Sequence, residues 1–471
     1  MLEDLDAVVI GGGISGLAAA HALAKAGRRF ALLEASARFG GCIGSVRSGP
    51  YIADMGPQTL VAAAPLRDLM TDLDLGSQFV AAPRGLKRYV FRHGRLVALP
   101  LSPVRFLTSP LLTFGAKMRV LREPFIASPP PNDDDESIAS FVRRRGGAEL
   151  LDAVVAPMVA GIFAGDLERL SMRSAFPAIA ELERRHGSVV RGYLSRERAR
   201  KDATVAMRRL GPPVRSPRRP QSGAFARGNQ VLIDALVSRL GRAVYAGARV
   251  VALRPRGAGF MLECEGLPEK KIEAASVIVA TSTADAAELL APLEPGAAED
   301  LRAIESPPLA QVVLAYPKAS VGVPLDGLGF LAAPNEGTRV LGAVWNSVFM
   351  PDRCPEGEAL VTAFLGGAND PSTAQCGDEE VASIAHRDLA RVMHISQGKP
   401  NVVAGFRWSN SIPQYALGHE QRIARIRAAV DRVVNLHLIG NFLAGPGVAD
   451  CISIAYRATA QIGEQAHHAN A

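Results

Sequence analysis

The 471-residue chain is poor in cysteine and in aromatic residues, and it has no long apolar run. Its five cysteines are scattered and never spaced as C-x-x-C, which argues against a disulfide framework and favours reduced thiols in a cytosolic compartment. The nine histidines form no H-E-x-x-H or comparable cluster, so no metal site is predicted. No uncharged apolar stretch reaches the length of about twenty residues that a membrane-spanning helix needs.

A signal peptide is not expected either, because acidic residues precede an apolar strand almost at the N-terminus. The length predicts two or three domains, and the hydrophobic content of 48% predicts a globular protein with an ample core.

The positive charge is concentrated in one segment. Between Arg184 and Arg219, twelve Arg or Lys residues stand against Glu197 and Asp202, a local charge of +10 in a chain whose net charge is +7. This segment is either a solvated surface or a face that meets anionic lipid headgroups. Few aromatic residues are interleaved with the charges, so nucleic acid is not predicted as a partner.

Residues 7–34 form a β-α-β pattern typical of a dinucleotide site. In its G-x-G-x-x-G motif, Gly11 allows a tight turn, Gly13 lets a pyrophosphate approach the backbone amides, and Gly16 lets the helix pack closely on the strand. Glu34 ends the second strand, where its carboxylate can accept hydrogen bonds from a ribose and would repel a 2′-phosphate. The pattern therefore predicts a dinucleotide other than NADP, although a glycine-rich turn in another α/β protein is the alternative.

Two further stretches suit the same cofactor. A second glycine turn follows at Arg38, Gly40 and Gly41, and the short strand 51–57 ends in a turn that suits a backbone passing a flavin ring. Near the C-terminus, residues 436–465 form a strand, an open glycine loop and a helix whose N-terminus suits an anion or a flavin carbonyl.

The intervening chain changes character several times. A hairpin is predicted at 88–100. Residues 101–125 are apolar with basic residues and prolines, which suits a membrane interface or a cap over an active site. Helices are expected to about residue 210. The predicted later elements are helices at 230–240 and 378–396, and strands at 249–254, 259–264, 277–281, 310–316, 328–332, 339–345 and 360–365.

Six stretches together carry a family resemblance: GGGISGLAAA, LEASARFGG, GIFAGDLERLSMRSAFP, VLGAVWNSVFMPDR, IPQYALGH and LIGNFLAGPGVADCI. They resemble the flavin amine oxidase superfamily and, within it, the oxygen-dependent protoporphyrinogen oxidases. The resemblance implies an α/β fold with an FAD-binding Rossmann-like domain split in sequence, a mixed-sheet substrate domain and an inserted α-helical domain. The implied boundaries are 1–86, 222–300 and 411–471 for FAD binding, 87–100 and 301–410 for the substrate domain, and 101–210 for the helical, membrane-associating domain.

Site residues are carried over by position. For non-covalent FAD the resemblance implies Gly11, Gly13, Ile14, Ser15, Gly16, Glu34, Ala35, Arg38, Gly40, Gly41, Cys42, Met55, Gly56, Pro57, Val251, Thr281, Trp408, Gly440, Asn441, Val448, Ala449 and Ile452. For the substrate it implies Arg88 facing a propionate, Arg95 as second choice, and a pocket wall of Gly161, Ile162, Leu331, Leu341, Val344 and Phe364, each of which could equally be ordinary core. One departure is Arg227-Gly228-Asn229, where relatives often carry paired glycines.

The implied reaction is the FAD-dependent oxidation of protoporphyrinogen IX to protoporphyrin IX in heme biosynthesis, with O₂ accepting six electrons and giving three H₂O₂. No side chain is expected to be catalytic, because flavin N5 carries the chemistry; His419 is expected to be structural, capping a helix. The family further implies a homodimer in the cytoplasm, peripherally associated with the inner face of the cell membrane.

Alternatives stay open at this point. Coproporphyrinogen, amine or carotenoid substrates are the rivals on the same fold, although the C-terminal motif offers only Phe442 where amine oxidases often have an aromatic pair. A non-catalytic binding protein that has lost the flavin is a rival of another class.

Overall fold

A computed structural model describes residues 2, 4–100, 102–127, 135–209, 220–396 and 398–469. Part of the basic segment, residues 210–219, lies outside these ranges. Within them, no helix combines the length and the apolar character needed to cross a bilayer.

The strands lie mainly in two seven-stranded sheets. In chain order they are β1 (Leu5–Ile10), β2 (Phe30–Glu34), β3 (Gly44–Ser48), β4 (Tyr51–Met55), β5 (Leu60–Val61), β6 (Phe79–Ala81), β7 (Lys87–Arg92), β8 (Arg95–Ala98), β9 (Ser222–Phe225), β10 (Val244–Ala246), β11 (Arg249–Arg256), β12 (Gly259–Glu265), β13 (Lys271–Val279), β14 (Leu309–Pro317), β15 (Gly327–Ala332), β16 (Val340–Trp345), β17 (Glu358–Gly366), β18 (Asn401–Trp408) and β19 (Leu436–Leu438).

Most α-helices cover the sheets. In chain order the α-helices are α1 (Ile14–Lys25), α2 (Ala64–Asp72), α3 (Pro103–Thr108), α4 (Phe114–Leu121), α5 (Ile138–Arg145), α6 (Ala148–Leu150), α7 (Ala156–Phe163), α8 (Met172–Ala175), α9 (Pro177–His186), α10 (Val189–Arg209), α11 (Gln230–Leu240), α12 (Thr283–Leu290), α13 (Pro295–Arg302), α14 (Asn346–Phe349), α15 (Pro371–Gln375), α16 (Asp378–Met393), α17 (His419–Val430) and α18 (Val448–Ala469). Those between β8 and β9 in the chain, α3 to α10, form a separate cluster, the helical region.

Sheet 1 has the order β10-β2-β1-β13-β12-β11, and β19 pairs with the C-terminal half of β13. Its centre is parallel and buried on both faces, which explains the apolar run at residues 7–10 of β1. Helices α1, α2, α11 and α18 cover one face, and α12, α13 and α17 cover the other. The strands come from the three sequence ranges predicted for FAD binding, so the chain returns twice to complete this sheet.

Sheet 2 has the order β18-β14-β17-β16-β15-β7-β8 and is antiparallel except where β15 meets β7. Helix α16 packs on one face and ends at Met393, three residues before the predicted end, because the next residue, His394, has a φ of 50°. The predicted hairpin at 88–100 forms β7 and β8 and extends this sheet.

Helices α5, α7 and α8 share a core that includes Tyr415 from the distant C-terminal part of the chain. Arg145 of α5 is 3% exposed and pairs with Glu123 and Glu183. These ion pairs connect α5 to α9, which carries Glu183, and to the turn before α5 that carries Glu123. The predicted fold class, an α/β protein with a split Rossmann-like part, a mixed sheet and an inserted helical region, is confirmed.

Candidate functional site

The first glycine motif connects β1 to α1. Gly11 has a φ of 106°, and a Cβ atom there would lie 2.7 Å from the carbonyl oxygen of Ala280. Gly13 differs, because it is the extended residue before the helix and no described atom lies within 4 Å of its Cβ position. The space beside Gly13 is therefore open towards the N-terminus of α1, where amides and helix dipole favour an anion.

Glu34 lies at the carboxyl end of β2 beside this turn. Its carboxylate accepts hydrogen bonds from the Gly12 amide at 2.6 Å and from the amide and hydroxyl of Ser36 at 2.8 and 2.7 Å. The amide of Ala248 donates to the Glu34 carbonyl, which places the start of β11 alongside. Val251 lies at a β-bulge in β11 and is 47% exposed, and Ala35 is exposed as well.

The second glycine turn packs against the first. The amide of Gly40 donates to the carbonyl of Gly12 at 2.8 Å, and a Cβ atom at Gly41 would lie 3.3 Å from the Cα of Gly13. Arg38 donates to the carbonyls of Gly41 and Ile43, so its guanidinium closes the turn. The two glycine turns thus form one cradle.

Gln311 of β14 holds the backbone of the predicted flavin-side segment, Met55, Gly56 and Pro57. Gln311 is fully buried, its Oε1 accepts from the Gly56 amide at 2.9 Å, and its Nε2 donates to the Asp54 carbonyl at 2.5 Å. Sequence reasoning missed Gln311, although a lone glutamine inside the apolar strand LAQVVLAY was a usable signal.

Asp54 and Arg353 form a fully buried ion pair between β4 and the turn after α14, with Nη1 and Oδ2 2.5 Å apart. The other carboxylate oxygen of Asp54 accepts from Ser45 Oγ at 2.6 Å and from the Asn229 amide at 2.8 Å. Asn229 also donates from Nδ2 to the Pro57 carbonyl at 2.8 Å. The departure at 227–229 therefore adds a side chain that holds the flavin-side segment.

The C-terminal loop, residues 440–447, runs from β19 to α18. The hydroxyl of Tyr415 donates to the Asn441 carbonyl, and His419 Nε2 lies 2.9 Å from the Phe442 carbonyl oxygen. His419 is a buried structural residue, but Gly418 is the residue that precedes α17, so the predicted capping role is wrong. Phe442 is 1% exposed and lies in the core.

The remaining predicted cofactor residues lie near the cradle or are buried in the core. Thr281 lies beside Gly11, since its Cγ2 would be 3.3 Å from a Cβ atom there. Val448 and Ala449 are partly buried at the start of α18, and Gly440 is buried. The Ile452 side chain is fully buried in the core, so Ile452 stays a prediction that only its backbone could fulfil.

One face of sheet 2 carries several of the predicted substrate residues. Across six strands, a row of directly paired residues shares this face: Val90, Leu331, Gly342, Phe364, Gln311 and Phe406. Val344 and Trp408 lie two residues along their strands from members of the row and therefore share the face. Leu331 also contacts the helical region, because a Cβ atom at Gly161 would lie 2.5 Å from Leu331 Cδ2.

The two arginines are separated. Arg88 lies on β7 two residues before Val90 and is exposed, whereas Arg95 lies opposite Arg92 at the hairpin turn. Arg88 and Arg92 are thus about 13 Å apart along the strand. Leu341 lies at a bulge in β16, outside the paired row, and Ile162 on α7 is 41% exposed.

The family model described as flavin containing amine oxidoreductase matches residues 14–463. A coproporphyrinogen III oxidase from Bacillus subtilis (strain 168) is 30% identical over 94% of this chain and 95% of its own. Protoporphyrinogen oxidase 1 of Spinacia oleracea is 30% identical over 97% and 84%. A solved structure from Exiguobacterium sp. 255-15, provisionally assigned as a protoporphyrinogen oxidase, has a TM-score of 0.80 at 22% identity over 98% of both chains and shows the shared fold.

The residues present fit the cofactor that this family match implies. The open space at Gly13 faces a helix N-terminus, as a diphosphate requires, and the Glu34 carboxylate stands at the strand end where an adenosine ribose binds. Because the flavin containing family matches the chain over residues 14–463, the cofactor is FAD, as predicted.

Proposed function

Because the chain belongs to the flavin containing amine oxidoreductase family, we propose that it oxidises protoporphyrinogen IX to protoporphyrin IX with O₂ as acceptor, in heme biosynthesis. The observation that carries the proposal is the paired row on sheet 2, whose apolar residues Leu331 and Phe364 lie between Gln311, which holds the flavin-side segment, and β7, which carries the exposed Arg88. Relatives named for two porphyrinogens support the substrate class. Coproporphyrinogen III is the second candidate, because the two kinds of relative are equally similar.

When bound, FAD accepts a hydride equivalent from a substrate carbon and returns electrons to O₂. The chain's own residues bind the substrate and orient it relative to the cofactor. Leu331 and Phe364 flank Gly342, so the row offers a shallow apolar surface for a flat macrocycle. Gln311 and Asn229 hold the backbone of 56–57 from two sides, which fixes the wall nearest the cofactor. The FAD contacts inferred at Gly11–Gly16, 34–42 and 440–449 belong to this proposal.

The two porphyrinogens differ in their number of carboxylates, so one experiment separates them. The purified holoprotein is given each porphyrinogen in air, and the gain of porphyrin fluorescence is followed. We expect faster O₂-dependent gain with protoporphyrinogen IX. A faster reaction with coproporphyrinogen III would favour the second candidate, and no gain above the spontaneous rate with either would refute both.

Replacing Arg88 with methionine should raise the KM for the porphyrinogen about 10- to 100-fold with a smaller change in kcat. A charge-assisted pair with a carboxylate contributes about 1.5–3 kcal/mol, and the methionine keeps the apolar stem. Arg95→Met is the matched comparison, since Arg95 lies at the other end of the hairpin and should change KM less. Steady-state kinetics of both variants measure this. Equal KM values for Arg88→Met and the parent would remove Arg88 from the substrate site.

We further propose that the helical region rests on the inner face of the cell membrane, with the protein in the cytoplasm as a homodimer. The large apolar side chains Phe114 and Phe125 are 79% and 81% exposed, and Val104 is 72% exposed. Basic groups lie among them: Lys117 donates to the Leu107 carbonyl at 2.8 Å, and the Arg191 guanidinium lies 5.9 Å from the centre of the Phe125 ring. Apolar side chains interleaved with cations suit an anionic bilayer surface.

The double variant Phe114→Ser/Phe125→Ser should bind vesicles containing phosphatidylglycerol at least about tenfold more weakly, because each buried phenylalanine contributes about 1.5–3 kcal/mol. Val434→Ser is the control, since Val434 is 71% exposed elsewhere on the molecule. Vesicle flotation measures the bound fraction. Unchanged binding of the double variant would contradict the proposed membrane face.

A further inference from the structure

The strap, residues 411–419 between β18 and α17, connects parts of the molecule that are far apart in sequence. Its Gln414 side chain donates to the carbonyl of Phe163 at the end of α7 at 2.9 Å. The amide of Leu417 donates to the Arg169 carbonyl at 2.8 Å, and the Tyr415 carbonyl accepts from the Ser171 amide at 2.8 Å. The strap is therefore bonded to the helical region, with an isolated β-bridge between Ala416 and Leu170.

A side chain also fastens the strap to the helical region. Asp135 accepts from the Gly418 amide at 2.9 Å through one oxygen and from Ser171 Oγ at 2.7 Å through the other. Asp135 therefore bridges the strap and the start of α8. None of these bonds involves the cofactor cradle.

From the opposite side of the strap, two side chains reach the C-terminal loop. Tyr415 and His419 are 3% and 4% exposed, and their rings stack with centroids 4.5 Å apart and planes 15° from parallel. They lie against the carbonyls of the consecutive residues Asn441 and Phe442. A carbonyl can only accept, so Nε2 of His419 must carry a hydrogen, and burial, which lowers the pKa of His419, favours the neutral form.

These two donors compensate for the weak internal bonding of the loop. Gly445 adopts a φ of 141°, and the loop contains no regular element between β19 and α18. A buried carbonyl without a donor is costly, so the loop conformation that points both carbonyls at the strap is selected by Tyr415 and His419.

We propose that Tyr415 and His419 are positioning residues that fix the C-terminal loop over FAD, so that FAD affinity depends on the docking of the strap to the helical region. Both ends of this connection are on the strap: Tyr415 packs 5.6 Å from the Phe163 ring on one side and bonds the loop on the other. The inference rests on the FAD site of the proposed function but not on the porphyrinogen substrate.

The first test is Tyr415→Phe, which keeps the ring stack and removes one hydroxyl. FAD titration of the apoprotein should show about three- to tenfold weaker binding, the equivalent of one lost hydrogen bond, together with a shifted visible spectrum of the bound flavin. Tyr456→Phe is the matched control, because the Tyr456 hydroxyl is buried on α18 and has no partner among the described residues. His419→Gln retains a donor and should bind FAD better than His419→Leu.

The second test is Asp135→Ala, which frees the strap without touching the loop. As a single variant, Asp135→Ala should weaken FAD binding. Its effect should be smaller in the Tyr415→Phe background, because both changes break the same connection from the helical region through the strap to the C-terminal loop. Parent-like FAD binding and spectrum in Tyr415→Phe would overturn the proposal, as would equal losses in Tyr415→Phe and Tyr456→Phe. Additive effects of Asp135→Ala and Tyr415→Phe would overturn the dependence on strap docking. All readouts omit porphyrinogen, so failure here is distinct from failure of the proposed substrate.

Discussion

Replacing Gly13 with valine should abolish FAD binding and leave the apoprotein folded. No described atom lies within 4 Å of a Cβ at this position, and the backbone is extended, so valine fits the protein alone. The same side chain fills the space through which a diphosphate reaches the amides of α1. Loss of two charge-assisted hydrogen bonds, each about 1.5–3 kcal/mol, predicts at least a hundredfold weaker FAD binding.

Substitutions at two other glycines serve as comparisons for Gly13→Val. Gly296→Val is the control, because Gly296 on α13 also has open space and lies away from the cradle. Gly11→Ala should instead destabilise the apoprotein itself, since its Cβ meets the Ala280 carbonyl and its φ is positive. FAD titration and thermal unfolding of the three apoproteins measure this. FAD binding to Gly13→Val with parent affinity would place the diphosphate elsewhere.

Replacing Arg353 with methionine should lower the free energy of unfolding by about 3–5 kcal/mol, because the change leaves the Asp54 carboxylate charged and fully buried. Arg353 also donates to the Phe225 carbonyl at 2.7 Å, which would lose its partner. The residues beside Asp54 carry the flavin-side segment, so the variant should also bind FAD more weakly.

The exposed ion pair between Lys25 and Asp72 provides the comparison. Lys25 is 57% exposed, and Lys25→Met should cost less than about 1 kcal/mol. Denaturant unfolding of both apoproteins gives the two values. A cost for Arg353→Met as small as that for Lys25→Met would mean that the buried pair does not hold β4 to the turn after α14.

The parts of the fold that sequence predicts well are those encoded locally. The strand, the glycines and Glu34 of residues 7–34 lie within one β-α-β unit, so their spacing alone defines the cradle. Strands β14 to β17 of sheet 2 were predicted to within a few residues, because apolar runs separated by Gly and Pro mark them, whereas the edge strand β18 was missed. The end of α16 was missed because His394 adopts a left-handed conformation that polarity does not reveal.

Contacts between side chains that are far apart in the chain could not be predicted from the sequence in the same way. Asp54 meets Arg353 across 299 positions, and Tyr415 meets the C-terminal loop only after the strap has docked on the helical region. Each partner alone resembles an ordinary polar surface residue. Burial was hidden as well: the place of Ile452 in a cofactor-like motif did not reveal that its side chain is fully buried in the core.

Anaerobic mixing of the purified holoprotein with protoporphyrinogen IX tests the proposed reaction most directly. Transfer of electrons from the porphyrinogen to FAD should bleach the visible flavin absorbance, and admitting O₂ should restore it with the appearance of porphyrin fluorescence. Coproporphyrinogen III, mixed in parallel, reports the second candidate. Flavin absorbance that stays unchanged with both porphyrinogens would contradict the assignment of a porphyrinogen oxidase to this chain.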